Sequence, residues 1–267
     1  MDILHEIAQR TIERIEAQKR KLPLEQIVKN KMICFDETES YPFEEALRTN
    51  DISFICEVKK ASPSKGVIAE DFPYLDIARD YESAGASAIS VLTEPFWFMG
   101  ADQYLREISE SMKIPLLRKD FTVDSYMIYE AKMLGASAVL LICSLLDRKT
   151  LREYLTLAHS IGLSALVEVH NEEEVDMALC SGARVIGVNN RNLRTFEVDI
   201  TLSERLRKMI PREVIFVSES GISTPDDIKK LREIKADAAL IGERIMRSFD
   251  KTAEINRLRG ESKYGEG

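Results

Sequence analysis

Charged side chains stand at the ends of several apolar runs in this 267-residue sequence. Glu57 and Lys59 end one such run, and Lys119 ends another. Glu168 is embedded in a third run, between Val167 and a second valine. Lysines and glutamates that emerge from buried strands are typical of proton-transfer chemistry, with an ammonium group as the acid and a carboxylate as the base.

The environment of Lys119 and Glu168 can be predicted in two ways. A partly desolvated Lys119 loses some of its preference for the charged form, which suits a proton donor. Alternatively, Lys119 is a structural cation that pairs with Asp120 or Glu94. A carboxylate within a β run is costly unless it has a partner, so Glu168 is a candidate base near lysines of other strands. The alternative for Glu168 is an outward position beneath a helix.

Glu57 and Lys59 are two residues apart, so in a strand their side chains lie on the same side. This spacing predicts either a structural ion pair or a pair that positions charge near a reacting group. His170 lies just beyond the Glu168 run. We interpret it as a surface or loop residue without a chemical role.

Two glycine-containing turns predict a site for an anion. Ser220 and Gly221 follow one apolar run, and Gly242 follows the last one. Glycine lets the main chain approach an anion, and the N–H groups at the start of a helix point towards it. The alternative for the first turn is ordinary helix capping by Ser223 or Thr224. Beside the lysines, these turns favour a phosphorylated substrate.

The elements that must position these groups alternate regularly along the chain. The predicted strands are 52–59, 88–92, 115–118, 138–142, 164–169, 185–189, 214–218 and 238–241. The predicted helices between and after them are 74–84, 102–112, 124–134, 148–160, 172–181, 201–209, 225–234 and one that starts at residue 243. Such alternation predicts a parallel sheet, and closure into a barrel is economical at this length. An open doubly wound sheet is the alternative, although no G-x-G-x-x-G motif follows any strand.

The predicted fold is therefore α/β, a single (β/α)8 barrel with an N-terminal helical extension. We divide the chain into an extension (1–50), the barrel (51–258) and a polar tail (259–267). Helical patterns at 2–20 and 43–47 precede the first strand, and either could close the bottom of the barrel or cover its mouth. For the first helix, we favour the mouth.

Composition limits the possible partners and location. The net charge of −8 argues against non-specific binding to nucleic acid or to an anionic membrane. No apolar run approaches the length of a membrane helix, and no secretory signal is evident. The four cysteines form no C-x-x-C pair, which is typical of small buried hydrophobic residues in a reducing cytoplasm. Only three histidines are present, so a zinc site is not expected.

Seven segments together closely resemble one enzyme family. They are EVKKASPSKG (57–66), LTEPFWFMG (92–100), LLRKDF (116–121), LVEVH (166–170), IGVNNRNL (186–193), SESGI (218–222) and LIGERIMR (240–247). In order and spacing they resemble indole-3-glycerol phosphate synthase of tryptophan biosynthesis. The resemblance implies a (β/α)8 barrel that closes the ring of 1-(2-carboxyphenylamino)-1-deoxyribulose 5-phosphate. The implied products are indole-3-glycerol phosphate, carbon dioxide and water, with no metal or organic cofactor.

The resemblance also implies catalytic roles at the matching positions. Lys119 would protonate the ketone oxygen as the aromatic carbon attacks, and Glu168 would be the base in the later dehydration. Lys59, held by Glu57, would neutralise charge near the reacting centre.

Further residues are implied to bind the substrate. Asn189 and Arg191 would orient the substrate and its carboxylate, and Phe98 and Phe121 would line the anthranilate side. The implied substrate-binding residues are Ser62, Phe98, Phe121, Asn189, Arg191 and Glu219. The implied phosphate-binding residues are Ser220, Gly221, Gly242 and Glu243. The expected partner is a phosphorylated small molecule, and the expected state is a monomer or a weak homodimer.

The sequence departs from the family pattern in loops that cover the mouth. Tyr41-Pro42 stands where many members have Arg-Pro, Pro73-Tyr74 stands in place of Asp-Pro, and Ala101 replaces a serine. None of these changes removes a proposed acid or base. The competing interpretations are another phosphate-binding barrel enzyme and a non-catalytic barrel that binds an anthranilate-type ligand.

Overall fold

The computed structural model describes residues 3–29, 40–192 and 194–260 of the chain. The helices are α1 (Ile3–Lys21), α2 (Leu24–Lys29), α3 (Pro42–Leu47), α4 (Tyr74–Ser83), α5 (Asp102–Ser111), α6 (Ser125–Met133), α7 (Arg148–Ser160), α8 (Glu172–Ser181), α9 (Thr201–Arg207), α10 (Pro225–Glu233), α11 (Glu243–Met246) and α12 (Lys251–Arg259). The strands are β1 (Ser53–Val58), β2 (Ala61–Ser62), β3 (Gly66–Val67), β4 (Ala88–Leu92), β5 (Leu116–Lys119), β6 (Ala138–Ile142), β7 (Ser164–Val169), β8 (Val185–Asn189), β9 (Ile215–Glu219) and β10 (Ala238–Ile241). A short 3-10 turn covers Cys143–Leu145.

Eight of these strands close into a parallel barrel in the order β1-β10-β9-β8-β7-β6-β5-β4. The predicted (β/α)8 barrel is confirmed, and the open sheet is excluded because β1 pairs with both β4 and β10. All eight predicted barrel strands occur, with ends that differ by at most two residues. Helix α2, the 3-10 turn and the small β2–β3 hairpin within the segment interpreted as a loop were not predicted, and the single last helix predicted from residue 243 is two helices, α11 and α12.

The helices begin and end where their sequences supply capping groups. The Asp147 carboxylate accepts the Thr150 N–H at the start of α7, and Asn171 accepts the Glu174 N–H at the start of α8. Gly182 ends α8 with a φ of 89°, a left-handed conformation that favours glycine. These caps set the short loops that bring each helix back to the next strand.

Two layers of apolar side chains form the core, because successive residues of each strand face opposite sides. In β1, Phe54 and Cys56 pack outward beneath the surrounding helices, whereas Ile55 packs inside the barrel. The same alternation places Glu57 and Lys59 on the inner side, at the carboxyl end of the strand. The barrel interior is therefore apolar below and charged at its mouth.

The N-terminal helices occupy opposite ends of the barrel. Ile3, Leu4 and Ile7 of α1 line the cavity at the mouth, as favoured for the first helix. Phe43 and Leu47 of α3 are fully buried and belong to the apolar cluster inside the barrel. The Leu47 carbonyl accepts a hydrogen bond from Ser53, at the start of β1, so α3 closes the bottom.

The remaining predictions have mixed outcomes. Cys56 and Cys143 are buried as expected, but Cys180 is exposed because it lies on the outer side of α8. Cys34 lies outside the described residues, as does the tail from residue 261, so the division of the chain into domains stays a prediction. Among the described residues, no helix combines the length and apolar character needed to cross a bilayer.

Candidate active site

A cavity of about 440 Å³ opens at the carboxyl ends of the barrel strands. Every residue that the sequence nominated lines it, namely Glu57, Lys59, Ser62, Phe98, Lys119, Phe121, Glu168, Asn189, Arg191, Glu219, Ser220, Gly221, Gly242 and Glu243. They converge because parallel strands of a closed barrel direct their carboxyl ends to one face. Their convergence is observed, whereas their individual roles stay predictions.

Lys119 lies between two carboxylates at the floor of the cavity. Its Nζ donates to Glu168 Oε2 at 2.9 Å and to Glu219 Oε2 at 2.7 Å. All three side chains are largely buried. We call Lys119, Glu168 and Glu219 the lysine–glutamate triad. The alternative pairing of Lys119 with Asp120 or Glu94 is wrong, as is an outward position for Glu168.

The charge state of Lys119 differs from the prediction. Burial disfavours the ammonium ion, but the carboxylates of Glu168 and Glu219 outweigh this effect and raise the pKa of Lys119 well above its ordinary value. The sequence argument considered desolvation alone and therefore predicted the wrong direction. Lys119 is fully protonated before substrate binds.

The two carboxylates of the triad have opposite shifts. Burial opposes ionisation of Glu168, but Lys119 and His170 outweigh it and hold the pKa of Glu168 well below its ordinary value. Burial dominates at Glu219 and, despite Lys119, raises the pKa of its carboxyl to about 7. Glu168 is therefore available as a proton acceptor. Glu219 Oε1 is buried and has no hydrogen-bond partner within the described part of the chain.

Glu168 is also held from its other oxygen. Asn189 Nδ2 donates to Glu168 Oε1 at 3.2 Å, and His170 Nε2 lies 3.3 Å from the same oxygen. His170 does follow β7 in a loop, but its side chain is only 16% exposed, so the interpretation as a surface residue is wrong. Sequence reasoning missed this contact, although the two-residue spacing from Glu168 was the available signal.

Glu57 and Lys59 form a second lysine–carboxylate pair on the inner side of the barrel, as their spacing predicted. A methyl group at Gly242 would collide with Glu57 Oε1 and with Lys59 Nζ. Glycine at this position therefore gives the pair its space, in addition to leaving main-chain atoms accessible. The sequence suggested only the second reason.

The turn after β9, predicted to bind an anion, has a left-handed backbone. Ser220 and Gly221 both have positive φ angles, 65° and 83°. Asn190 Nδ2 donates to the Ser220 carbonyl at 3.1 Å and holds the turn. The helix-capping alternative is also correct, because Thr224 caps α10 through a reciprocal pair with Asp227. Capping lies on different residues and leaves Ser220 and Gly221 at the cavity.

Cationic side chains at the same rim were missed by the sequence argument. Arg244 and Arg247 line the cavity from α11 and the residue that follows it. Arg247 Nε donates to the Glu243 carboxylate at 3.1 Å, and Lys65 Nζ lies 3.9 Å from it. These cations offset the negative charge of Glu243 beside the predicted phosphate position.

The aromatic loop after β4 (residues 96–98) has one ring at the cavity and is held from beneath by a buried carboxylate. Phe98 lines the cavity with its ring centroid 6.0 Å from that of Phe121. Glu94 is buried beneath the loop, where it accepts the N–H groups of Phe96, Trp97 and Phe98. Glu94, considered as a partner of Lys119, therefore holds this loop instead.

Arg191 and Asp120 have different surroundings. The Arg191 guanidinium donates to the Phe196 carbonyl at 3.1 Å, so it is positioned at the rim of the cavity. Arg14 Nη2 donates to both carboxylate oxygens of Asp120, each at 2.9 Å. This pair fastens α1 across the mouth, next to Lys119.

The fold and the site together define a class: a (β/α)8 barrel whose mouth brings lysines, carboxylates and two glycine-containing turns together around one cavity. Solved structures with the same fold include a mutant tryptophan synthase alpha-subunit from Pyrococcus furiosus, with a TM-score of 0.60 at 16% identity over 79% of this chain and 98% of that one. KGPDC from Streptococcus mutans has a TM-score of 0.60 at 12% identity over 79% and 97%. At such identities the likeness concerns the fold alone.

The particular family follows from the sequence comparisons. The family model for indole-3-glycerol phosphate synthase matches residues 4–258. The enzyme of that name from Ruminiclostridium cellulolyticum is 55% identical over 260 residues, covering 97% of this chain and 100% of its own. The one from Thermoanaerobacter pseudethanolicus is 46% identical, covering 98% and 99%. This chain belongs to the indole-3-glycerol phosphate synthase family.

Proposed function

We infer that this protein is a carboxy-lyase of tryptophan biosynthesis. It converts 1-(2-carboxyphenylamino)-1-deoxyribulose 5-phosphate to indole-3-glycerol phosphate, with loss of carbon dioxide and water. Family membership over nearly the whole chain supports this activity. The observation that carries it at the site is Lys119, held between two carboxylates at the floor of a cavity with an anion-binding turn at its rim.

Lys119 is the general acid of this proposal. It protonates the ketone oxygen while the aromatic carbon attacks the ketone carbon. Its raised pKa keeps it protonated before reaction, and negative charge that develops on the oxygen draws the proton across. Glu168 is the general base that removes a proton during dehydration. Its lowered pKa keeps it ionised until that step.

Lys59 stabilises charge near the reacting centre, and Glu57 fixes its ammonium group. Glu219 is the third substrate-facing carboxylate, and its unpartnered Oε1 accepts a donor from the substrate. Preorganised charges of this kind act strongly in a site that excludes water, because they need no reorganisation during reaction.

The two ends of the substrate occupy different parts of the cavity. The anthranilate ring packs between Phe98 and Phe121, and its carboxylate is oriented by Asn189 and Arg191. Ser62, at the β2–β3 hairpin, contacts the same substrate from across the mouth. Holding the aromatic carbon near the ketone in this way lowers the entropic part of the barrier.

The phosphate group binds at the rim after the last two barrel strands. Ser220 and Gly221 offer N–H groups from their turn, and Gly242 and Glu243 offer theirs at the start of α11. The glycines permit the close approach. Arg247 adds positive charge beside them.

The test is formation of the fluorescent indole product by chelator-treated protein mixed with the carboxyphenylamino-deoxyribulose phosphate. Wild-type protein should give a rise in fluorescence, and Lys119→Ala should lower turnover by about 10²- to 10⁴-fold, the usual range for loss of a general acid. Lys229→Ala, an exposed lysine on α10, is the matched control and should leave turnover unchanged. Normal turnover in Lys119→Ala would refute the acid assignment. Binding without any turnover in wild type would leave a phosphate-binding barrel of another function.

We propose that the protein works in the cytoplasm, as a monomer or weak homodimer, on a phosphorylated small molecule rather than on nucleic acid or a membrane. Its acidic net charge supports this view. Sedimentation at several protein concentrations tests the assembly state, and a stable larger oligomer would contradict it.

A further inference from the structure

The proposed reaction consumes one proton from solvent in each turnover. The substrate enters as a carboxylate, the carbon–carboxylate bond breaks, and carbon dioxide leaves while its bonding electrons restore the aromatic ring. The ketone oxygen gains two protons and leaves as water. The substrate methylene group loses one proton as the indole double bond forms. Two protons enter and one is released within the site, so the balance must come from outside.

The lysine–glutamate triad can recycle only the proton that the substrate releases. Glu168 accepts it and lies 2.9 Å from Lys119, which can take it up after acting as an acid. The second proton must cross a site in which the Lys119 side chain is 13% exposed and those of Glu168 and Glu219 are 4% and 2% exposed. A bound substrate in the cavity closes this route further. A second path to the triad would let this proton enter while the substrate fills the cavity.

His170 lies between Glu168 of β7 and Glu174 of α8. Its Nε2 lies 3.3 Å from Glu168 Oε1, and its Nδ1 lies 3.1 Å from Glu174 Oε2. His170 does not line the cavity. The side chains of His170 and Glu174 are 16% and 15% exposed. The imidazole thus bridges a buried carboxylate and a partly solvated one.

The loop geometry holds this bridge in place. The His170 main-chain N–H donates to Glu174 Oε2 at 2.8 Å, and Asn171 Nδ2 donates to Glu174 Oε1 at 3.1 Å. The Glu174 N–H in turn donates to Asn171 Oδ1 at 2.9 Å. The Glu174 carboxylate is therefore held by two donors of the β7–α8 loop in addition to its contact with His170 Nδ1. This is more than a solvated surface glutamate needs.

The charges that face the ring favour its protonated form. Glu168 of β7 and Glu174 of α8 face it directly, with Lys119 and Glu219 beyond Glu168. Cys143 donates its Sγ to the Glu174 carbonyl at 3.7 Å. Burial opposes the charged ring, but the two glutamates outweigh it and raise the pKa of His170 to about 10. The ring therefore carries a proton at neutral pH.

We propose that Glu174, His170 and Glu168 form a proton relay that supplies the lysine–glutamate triad from solvent. The imidazolium releases its Nε2 proton to Glu168, and Glu168 passes it to Lys119. The neutral ring then shifts its remaining proton from Nδ1 to Nε2, and Nδ1 accepts a new proton that Glu174 has collected from solvent. His170 Nε2 contacts Glu168 outside hydrogen-bond geometry, so the transfer needs a small rotation of the carboxylate. His170 is a positioning residue, because it acts through Glu168. This inference rests on the proposed role of Glu168 as base.

The decisive variants are His170→Gln and His170→Ala. Glutamine keeps an N–H donor beside Glu168 but cannot relay a proton. We therefore expect turnover to fall about tenfold, a smaller loss than the removal of a general base causes. The alanine variant leaves a cavity, and added imidazole should recover its turnover several-fold at fixed pH, since a free imidazole restores the carrier. Glu174→Gln should give a smaller loss without recovery by imidazole.

His159→Gln is the matched control. His159 lies at the end of α7 against Tyr41, at the opposite end of the barrel, and its substitution should leave turnover unchanged. Wild-type turnover in His170→Gln would overturn the relay, and so would a loss in His170→Ala that imidazole does not recover. If His170→Ala does not fold, the proton inventory of His170→Gln in mixed H2O and D2O decides, since an inventory identical to wild type refutes the relay.

Failure of the relay can be told apart from failure of the proposed function. Glu168→Gln in an otherwise unchanged chain should abolish turnover whether or not the relay exists. If Glu168→Gln is inactive and His170→Gln is normal, only the relay is wrong. If Glu168→Gln turns over normally, the base assignment itself is wrong.

Discussion

The two ends of the barrel are built from the same eight strands, yet they use charged residues in opposite ways. At the bottom, Glu44 of α3 accepts hydrogen bonds from Arg184 at 2.8 Å and from Ser164 at 3.1 Å. Arg184 also lies over the Tyr41 ring, with Cζ 3.8 Å from its centroid, so the expectation that Tyr41-Pro42 lies in a loop over the mouth is wrong. Each charged group of this cluster has a partner of opposite sign, and the cluster closes the barrel.

At the mouth, the lysines and glutamates at the carboxyl ends of the barrel strands are unevenly balanced. Three carboxylates, Glu57, Glu168 and Glu219, face two lysines across the cavity. Glu219 has one oxygen that no described residue hydrogen-bonds, and its pKa is raised, so burial leaves this carboxyl poorly compensated. Partly satisfied buried charges cost stability, and enzymes retain them where a substrate completes the arrangement. The bottom is therefore organised for stability and the mouth for reaction.

The comparison is sharpest at Glu168. Glu168→Gln should lower kcat by about 10²- to 10⁴-fold, because the amide cannot accept the proton. Its thermal midpoint should stay close to wild type, since Lys119 keeps Glu219 as a partner. Product fluorescence and a thermal melt measure both quantities. Glu173→Gln, at an exposed position on α8, is the control. A large loss of stability in Glu168→Gln with retained activity would show that Glu168 stabilises the fold and does not act as the base.

Glu219 should make stability depend on pH. Its folded pKa of about 7 exceeds the ordinary 4.5, so the native state holds a proton that the unfolded chain releases between these values. Its contribution is fully present below pH 4.5 and is lost as pH rises through 7. The free energy of unfolding of wild type relative to Glu219→Gln should therefore fall by about 3 kcal/mol between pH 4.5 and 8.

Urea unfolding of both proteins across this range makes the measurement. The pKa of Glu168 lies well below its ordinary value, so this carboxylate stays ionised in the native state of both proteins across the range. Glu233→Gln, an exposed residue of α10, should give a difference that does not vary with pH. If the free energies of unfolding of wild type and Glu219→Gln change with pH in the same way, the Glu219 pKa is not raised in the folded protein.

Gly242→Ala should disturb the mouth by geometry alone. The added methyl collides with Glu57 Oε1 and Lys59 Nζ, so that the pair must shift. Displacement of a catalytic group by about 1 Å can cost up to about 100-fold, and we expect kcat/KM to fall about 10- to 100-fold. Steady-state kinetics test this, with the thermal midpoint as the check on folding. Unchanged kcat/KM would mean that the Lys59 position is not critical.

Glu44→Gln should affect stability and leave catalysis intact. It removes the partner of Arg184, but that arginine is 36% exposed, so the loss should be only about 1 kcal/mol. Urea unfolding and product fluorescence measure the two effects, and Glu45→Gln on the same helix is the neighbouring control. A clear fall in kcat would show that the bottom of the barrel affects catalysis as well as stability.

Much of this molecule was predictable from local patterns. The alternation of apolar runs and helical stretches predicted the barrel, because each strand and its covering helix are encoded within about 30 residues. The two-residue period of a strand placed Glu57 and Lys59 on one side. The nominated residues line one cavity because the carboxyl ends of all the barrel strands meet there, whatever the details of packing.

Partner choice and charge state were decided by the tertiary structure alone. Lys119 meets Glu168 and Glu219 across sequence separations of 49 and 100 residues, which only barrel closure and strand register bring together. The lysine pKa was predicted in the wrong direction, since desolvation can be read from an apolar run but the opposing carboxylates cannot. The placement of α1 above the mouth and α3 below the bottom likewise depends on long-range contacts. Local sequence determined which groups reach the mouth, and three-dimensional closure determined which of them touch, because Coulombic and hydrogen-bond energies depend on distances that no short stretch of chain defines.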